Sequence, residues 1–370
     1  MIYEDLKNGP DRKAANFSEF SINEQEIIDE INKKNIKYAG LQFPEGVKRL
    51  AFFIAEKIEK ETDAKVFLSG NPCFGACDLD TELLKVVDVL YHFGHAQLEF
   101  TEIEEKVVFV EMYSSVSVKD VVEKAVSKLK EKNGKFVPVV TTVQHVKQLK
   151  SASDILNENG LCPVISKGDG RIRHLGQILG CNFSAAKNAC KEVIKKQKDM
   201  KNENENDIDY DFDILYIGSG QFHPIGISLA TKRNVICADP YTNDVFAIDL
   251  KKHLMKRSAV IGNSIDSENI GILVSTKNGQ NRINLAKNIK KTAEEHGKKA
   301  FIISMDLITP AQLLSFKADA YVNTACPRIA IDDSGNYPAP VMTPQEFEIL
   351  LGIRNWEDLE LDEILEDYKN

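Results

Sequence analysis

One α/β plan recurs three times along these 370 residues, and that recurrence limits the fold more than any other feature. Short β-branched runs alternate with amphipathic segments, the pattern of parallel sheets flanked by helices. The first copy opens with a strand over 37–43 and a helix near 47–61, where Leu50, Ile54 and Ile58 share a face at i, i+4, i+8. Strands over 65–69, 86–92 and 107–112 follow. The second copy has a strand over 137–143, a helix with Leu149, Ala152 and Leu156 inward, and a stop at Gly160. Its later strands are 162–165, 212–217 and 234–238. The third has a strand over 270–275, a helix with Leu285, Ile289 and Ala293 inward, a stop at Gly297, and strands over 300–304, 319–323 and 340–343. The third strands align as Asp88-Val89-Leu90-Tyr91, Asp213-Ile214-Leu215-Tyr216 and Asp319-Ala320-Tyr321-Val322. Each first strand exits near a glutamine: Gln42, Gln144 or Gln280. A period of roughly a hundred residues is triplication, not a solenoid. The matches are short, so generic likeness between βαβ units is the competing explanation. The expected fold class is α/β, with three tandem homologous domains around a central site. Each domain is a small parallel sheet with flanking helices, and they span 1–116, 117–257 and 258–370.

The composition, 43% hydrophobic and 28% charged, is that of an ordinary soluble globular protein. No apolar run approaches the roughly 18 residues of a membrane span, and Met1 to Lys7 has no signal core, so a cytoplasmic protein is expected. A net charge of −9 argues against a general nucleic-acid binder. Part of that acidity sits in 357–367, read as a solvated helix face, and the charge-rich insert 195–211 reads as an exposed loop.

Seven cysteines without a signal peptide fit a reducing compartment, where thiols bind metal or pack in cores. Cys77, Cys181 and Cys326 each occupy a loop beyond a strand's carboxyl end, where ligands of open parallel sheets bind. Cys77 and Cys181 precede the third strand of their copies, whereas Cys326 follows it. Their small neighbours suit close approach of an iron–sulfur cluster, and three thiolates leave one iron open for chemistry. Cys162, Cys190 and Cys237 read as buried hydrophobes. Cys73 lies four residues before Cys77, and its role is open. His92 and His95 could join these two around zinc, but a loop-plus-strand arrangement lacks the usual knuckle spacing.

At these residues the chain resembles a known family, the archaeal 2-(3-amino-3-carboxypropyl)histidine synthases of the first step of diphthamide biosynthesis. The resemblance rests on Gln42-Phe43-Pro44-Glu45-Gly46, Gly75-Ala76-Cys77-Asp78, Gly176-Gln177-Ile178-Leu179-Gly180-Cys181, Gly218-Ser219-Gly220-Gln221-Phe222-His223-Pro224 and Ala325-Cys326-Pro327-Arg328-Ile329-Ala330-Ile331-Asp332, in family order. It implies a [4Fe–4S] cluster held by Cys77, Cys181 and Cys326, with S-adenosyl-L-methionine at the open iron. It further implies radical cleavage of the Cγ–S bond, release of methylthioadenosine, and transfer of the 3-amino-3-carboxypropyl group to C2 of a histidine on translation elongation factor 2. A homodimer and an electron donor are the other implied partners. The insert 195–211 departs from the family pattern.

Beside the cysteines, cofactor contacts are expected from Gln42, Glu45 and Gly46, from Gly218, Gly220 and His223, and from Asn278, Gly279 and Gln280. Each has a plainer reading. Glu45 complements a helix dipole, the glycine loop is a tight strand-to-helix turn, Asn278 to Gln280 form an ordinary turn, and His223 is a structural histidine. Arg171, Arg173 and His174 make a basic patch that pairs with the cofactor carboxylate, pairs with acidic surface on the elongation factor, or lies in solvent, and Arg328 tunes the Cys326 site. No catalytic side chain can be assigned. Two competing functions are a quinolinate-synthase-like iron–sulfur dehydratase and a metal-free scaffold.

Overall fold

The computed structural model describes residues 20–98, 105–132, 135–201, 211–332 and 334–366. They form two compact units. The first holds the described residues up to Ala96 and from Glu105 to Val116; the second holds Gln97, Leu98 and everything from Ser117.

The first unit runs β1 (Phe20–Ser21), α1 (Glu24–Lys34), β2 (Tyr38–Gln42), a 3-10 segment (Glu45–Leu50), α2 (Ala51–Glu61), β3 (Lys65–Leu68), β4 (Val89–Phe93), β5 (Val107–Val110) and β6 (Tyr113–Ser114). Strands β3-β2-β4-β5 form a parallel sheet, and β1 pairs separately and antiparallel with β6. Every residue of β4 is buried, as a central parallel strand covered on both faces requires. Helix α2 lays Ile54 and Ile58 against Leu41, Tyr91 and Phe93.

The second unit contains two sheets. The first comes from α3 (Lys119–Glu131), β7 (Phe136–Thr141), α4 (Leu149–Glu158), β8 (Cys162–Val164), α5 (Ser184–Lys201), β9 (Ile214–Ile217), α6 (Phe222–Thr231), β10 (Val235–Asp239) and β11 (Asp244–Ala247). Its order is β11-β10-β9-β7-β8, parallel except for β11. The other comes from α7 (Leu250–Gly262), β12 (Asn269–Ser275), α8 (Ile283–Glu295), β13 (Lys299–Met305), α9 (Pro310–Leu314), β14 (Ala320–Asn323), α10 (Arg328–Ile331), β15 (Val341–Met342) and α11 (Pro344–Leu350), with parallel order β13-β12-β14-β15.

All three sheets thus place the second strand of a copy outside the first, and the third and fourth on its other side. Two of the three aligned aspartates play the same part. Asp88 Oδ2 accepts the N–H groups of Lys37 and Tyr38, fixing the start of β2 beside β4. Asp319 Oδ2 does the same for Glu268 and Asn269 at the start of β12. Those backbone bonds hold both carboxyls below their ordinary pKa. Asp213 instead accepts from the Asn234 side chain and pairs with Lys132.

Two expectations change. Helix α5 continues through Lys201, so 195–201 are not loop; 202–210 lie outside the described residues. The acidic terminal stretch is no solvated helix. After a 3-10 turn at Trp356–Asp358 it becomes an irregular strap that buries Leu359, Leu361, Asp362 and Ile364. Its apolar residues seek the core, and Asp362 has an internal cation to meet.

Candidate functional site

In the first unit the Cys77 loop is folded by its own polar groups. Asp78 N–H closes a turn on the Gly75 carbonyl, while the Asp78 carboxylate accepts the Phe74 N–H at 2.7 Å. Asp80 gathers Ser69, Asn71 and the Leu83 N–H. Gln42, buried at the exit of β2, joins this loop to β4. Its Nε2 donates to the Asp78 carbonyl at 2.5 Å, and its Oε1 accepts from the Asp80 N–H and from His92 Nδ1 at 2.9 Å. Glu45 is exposed, pairs with Lys48, and accepts the Cys73 N–H. Gly46 is exposed with open space around it. Cys77 is half-buried, and a Cβ on Gly75 would touch its sulfur. Burial pushes the Cys73 thiol up to about 12, and the Asp78 carboxylate adds to the shift.

In the second unit Cys181 and Cys326 are both half-buried, and both lie within electrostatic reach of one cation, Arg282. Cys181 sits in a tight reversal in which Leu179 and Asn182 exchange backbone hydrogen bonds. Asn182 anchors the reversal by donating to Asp169 and capping the first turn of α5 through Ser184. The Cys326 loop is shaped by Asn323, which accepts the Ala325 N–H and donates to the Cys326 carbonyl. Arg282 donates to the carbonyls of Thr324 and Ala325 and makes a two-pronged pair with Asp362 at 2.7 and 2.5 Å. Burial opposes the Arg282 charge, but Asp362 outweighs it and holds the pKa above its ordinary value. Burial also raises the Cys181 thiol, against the pull of Arg171 and Arg282, which favour thiolate. The terminal strap completes the wall, with the Ile364 N–H donating to the Cys181 carbonyl and Glu363 pairing with Lys187.

The other expected residues are distributed around these two thiols. Buried Arg171 donates to the Gly279 carbonyl at 3.2 Å, joining the Cys181 side to the turn after β12. Gly279 has φ +82, which favours glycine, while Asn278 is exposed and Gln280 buried. Gly218 and Gly220 follow β9 with positive φ; a Cβ at Gly218 would lie 2.6 Å from the Tyr216 hydroxyl, whereas Gly220 faces open space. Phe222 just beyond them approaches Gly180 so closely that a Cβ there would lie 2.7 Å from its ring. The Arg328 guanidinium covers the same ring at 5.0 Å and pairs with Asp332. His223 stacks on Tyr216; burial lowers its pKa to about 4, with Arg328 adding to the shift. Arg173 is exposed and His174 half-buried. Cys190 and Cys237 are core residues, with burial raising each thiol to about 12, and Cys162 is half-buried. Sequence reasoning missed Arg282 and Asp362. Arg282 follows the flagged turn directly, but nothing in its neighbours announces that it is buried.

The family described as Putative diphthamide synthesis protein matches residues 43–360. The 2-(3-amino-3-carboxypropyl)histidine synthase of Pyrococcus horikoshii is 38% identical over 346 residues, covering 93% of this chain and 94% of the relative. The protein of that name from Methanocaldococcus jannaschii is 30% identical over 369 residues, covering 94% of each. A crystal structure of Dph2 from Pyrococcus horikoshii with a 4Fe–4S cluster superposes with a TM-score of 0.81 at 36% identity, over 93% of this chain and 94% of that one.

Proposed function

This chain belongs to the diphthamide synthesis protein family, and from that premise we propose that it transfers a 3-amino-3-carboxypropyl group from S-adenosyl-L-methionine to C2 of a histidine on translation elongation factor 2. Its proposed cluster ligands are Cys77 of the first unit and Cys181 and Cys326 of the second. The observation that carries the reading is the way the Cys326 loop and, through the strap, the Cys181 turn are tied to the buried Arg282–Asp362 pair, in a chain that resembles a cluster-bearing relative. The donor set fits an iron–sulfur group: three half-buried cysteines outside any disulfide, with guanidinium groups favouring the Cys181 thiolate. When bound, the cluster supplies the electron that breaks the Cγ–S bond of the sulfonium, releasing methylthioadenosine and a 3-amino-3-carboxypropyl radical.

The chain's own residues bind, orient and compensate charge. Arg282 offsets thiolate charge while Asp362 holds its guanidinium in place. The bare backbone at Gly220 leaves room for a close cofactor approach. Asn278 and Gln280 flank Gly279, whose carbonyl is already engaged by Arg171. Gln42 acts by positioning the Cys77 loop, and Glu45 by holding the Cys73 backbone; Gly46 leaves the segment after Glu45 uncrowded. His223, neutral at pH 7, offers a ring nitrogen beside the glycine loop. The working form is a cytoplasmic homodimer fed by an electron donor. No helix among the described residues is long and apolar enough to cross a membrane.

The test is anaerobic reduction with S-adenosyl-L-methionine and identification of the nucleoside. Methylthioadenosine is expected; 5′-deoxyadenosine or no cleavage refutes the proposal. Single Cys77→Ala, Cys181→Ala and Cys326→Ala variants lose iron, and Cys190→Ala keeps it.

A further inference from the structure

We propose that Cys73, His92 and His95 form a site for a divalent cation of the zinc class in the first unit, distinct from the three cluster thiols. One donor atom from each lies within 4.8 Å of the others. Cys73 Sγ is 4.0 Å from His92 Nε2, which is 2.9 Å from His95 Nδ1. Tetrahedral zinc with sulfur at about 2.3 Å and nitrogen at about 2.0–2.1 Å sets neighbouring donors about 3.3–3.6 Å apart. The sulfur contact to His92 and the contact between the two imidazoles each differ from that spacing by about half an ångström, and the remaining pair, Cys73 with His95, lies within 4.8 Å.

The surroundings favour a cation over a bare histidine pair. Gln42 Oε1, already accepting the Asp80 N–H, fixes the proton of His92 on Nδ1 and leaves the Nε2 lone pair aimed at Cys73 and His95. A buried acceptor on the far nitrogen is the device that orients metal-ligating imidazoles. The Asp78 carboxylate lies close enough to act on both Cys73 and His95, so negative charge already stands beside the place a cation would take. Cys73 and His92 are fully enclosed, while His95 is half-buried and gives access. The ligands come from the loop that carries Cys77 and from the end of β4. A bound ion therefore clips that loop to the sheet, four residues before the proposed cluster thiol. This site does not depend on the transferase reading.

The full-length chain, purified anaerobically with its cluster, is equilibrated with zinc, freed of excess, and measured for zinc and iron separately. Wild type is expected to hold about one zinc per chain. Cys73→Ala and His95→Gln are expected to lose it while keeping iron; His95, at the accessible edge, carries the test if Cys73→Ala does not fold. Cobalt in place of zinc gives a sulfur-to-metal charge-transfer band in wild type that Cys73→Ser abolishes. No zinc in wild type, or zinc unchanged in both variants, overturns the proposal. So does zinc that follows Cys77→Ala instead of Cys73→Ala. Iron content reports on the cluster and zinc content on this site, so the two readings fail separately.

Discussion

Replacing Asp362 with alanine tests the tie between the terminal strap and the cysteine-bearing loops. Asp362 is 1% exposed and Arg282 4%. Their two contacts, at 2.7 and 2.5 Å, are therefore screened little by solvent. An opposite pair about 4 Å apart at an effective dielectric of about 20 is worth about 4 kcal/mol. Removing one partner of a buried pair costs about 3–5 kcal/mol, because the other charge stays buried. Arg282 keeps the carbonyls of Thr324 and Ala325, which soften the loss, so we expect about 3 kcal/mol, or about 150-fold in the folding equilibrium. The readout is built in. The chain has one tryptophan, Trp356, in the 3-10 turn that begins the strap. Urea unfolding followed by its fluorescence should show the strap transition shifted to lower urea. Replacing both partners, with Arg282→Met and Asp362→Leu together, should recover most of the loss. A change below about 1 kcal/mol in Asp362→Ala with an unaltered Trp356 transition would refute the argument, since a pair enclosed this well cannot be worth so little.

Two further outcomes follow from the geometry. His145 is buried, and burial holds its pKa near 4 despite the opposing pull of Asp239. Unfolded, the same ring has a pKa of about 6.5. Above that both states are neutral and nothing changes, but as pH falls from 6.5 towards 4 only the unfolded chain takes up the proton. Stability then declines by up to about 1.4 kcal/mol per pH unit; His145→Asn should flatten that part of a denaturation-versus-pH curve, and an unchanged slope would exclude His145 as a source. Gly180→Ala puts a methyl 2.7 Å from the buried Phe222 ring and should cost about 1–3 kcal/mol in urea unfolding. Phe222→Leu in the same chain should restore part of it, and no recovery would mean that the ring is not the obstacle.

The sheets were legible because their signals are local. Runs such as Asp319-Ala320-Tyr321-Val322 carry strand character in themselves, and Gly160 ends α4 because a left-handed residue is needed where the Leu161 N–H returns to the Leu156 carbonyl. The three favoured cysteines were picked out by small neighbours and position after strands, and each does lie half-buried in a loop that follows a strand. What stayed hidden depends on distant partners. The charges of Arg282 and Asp362 each suggest solvent, and only their meeting across 80 positions makes burial favourable. For the same reason the tail was misread: its acidic residues outvote Leu359, Leu361 and Ile364 in a local average. Gln42 was flagged, but its use as a three-way connector depends on His92 and Asp80 arriving from elsewhere in the chain. The antiparallel edge β11 was absent from the sequence reading; its four residues carry little periodicity of their own.

The strap also has a bearing on how the chain is made. A ribosome delivers Cys181, Arg282 and Cys326 before Asp362, so a nascent second unit carries an unneutralised guanidinium beside two thiols until that carboxylate has been added. Loading with iron before Asp362 arrives would meet walls still missing their last side.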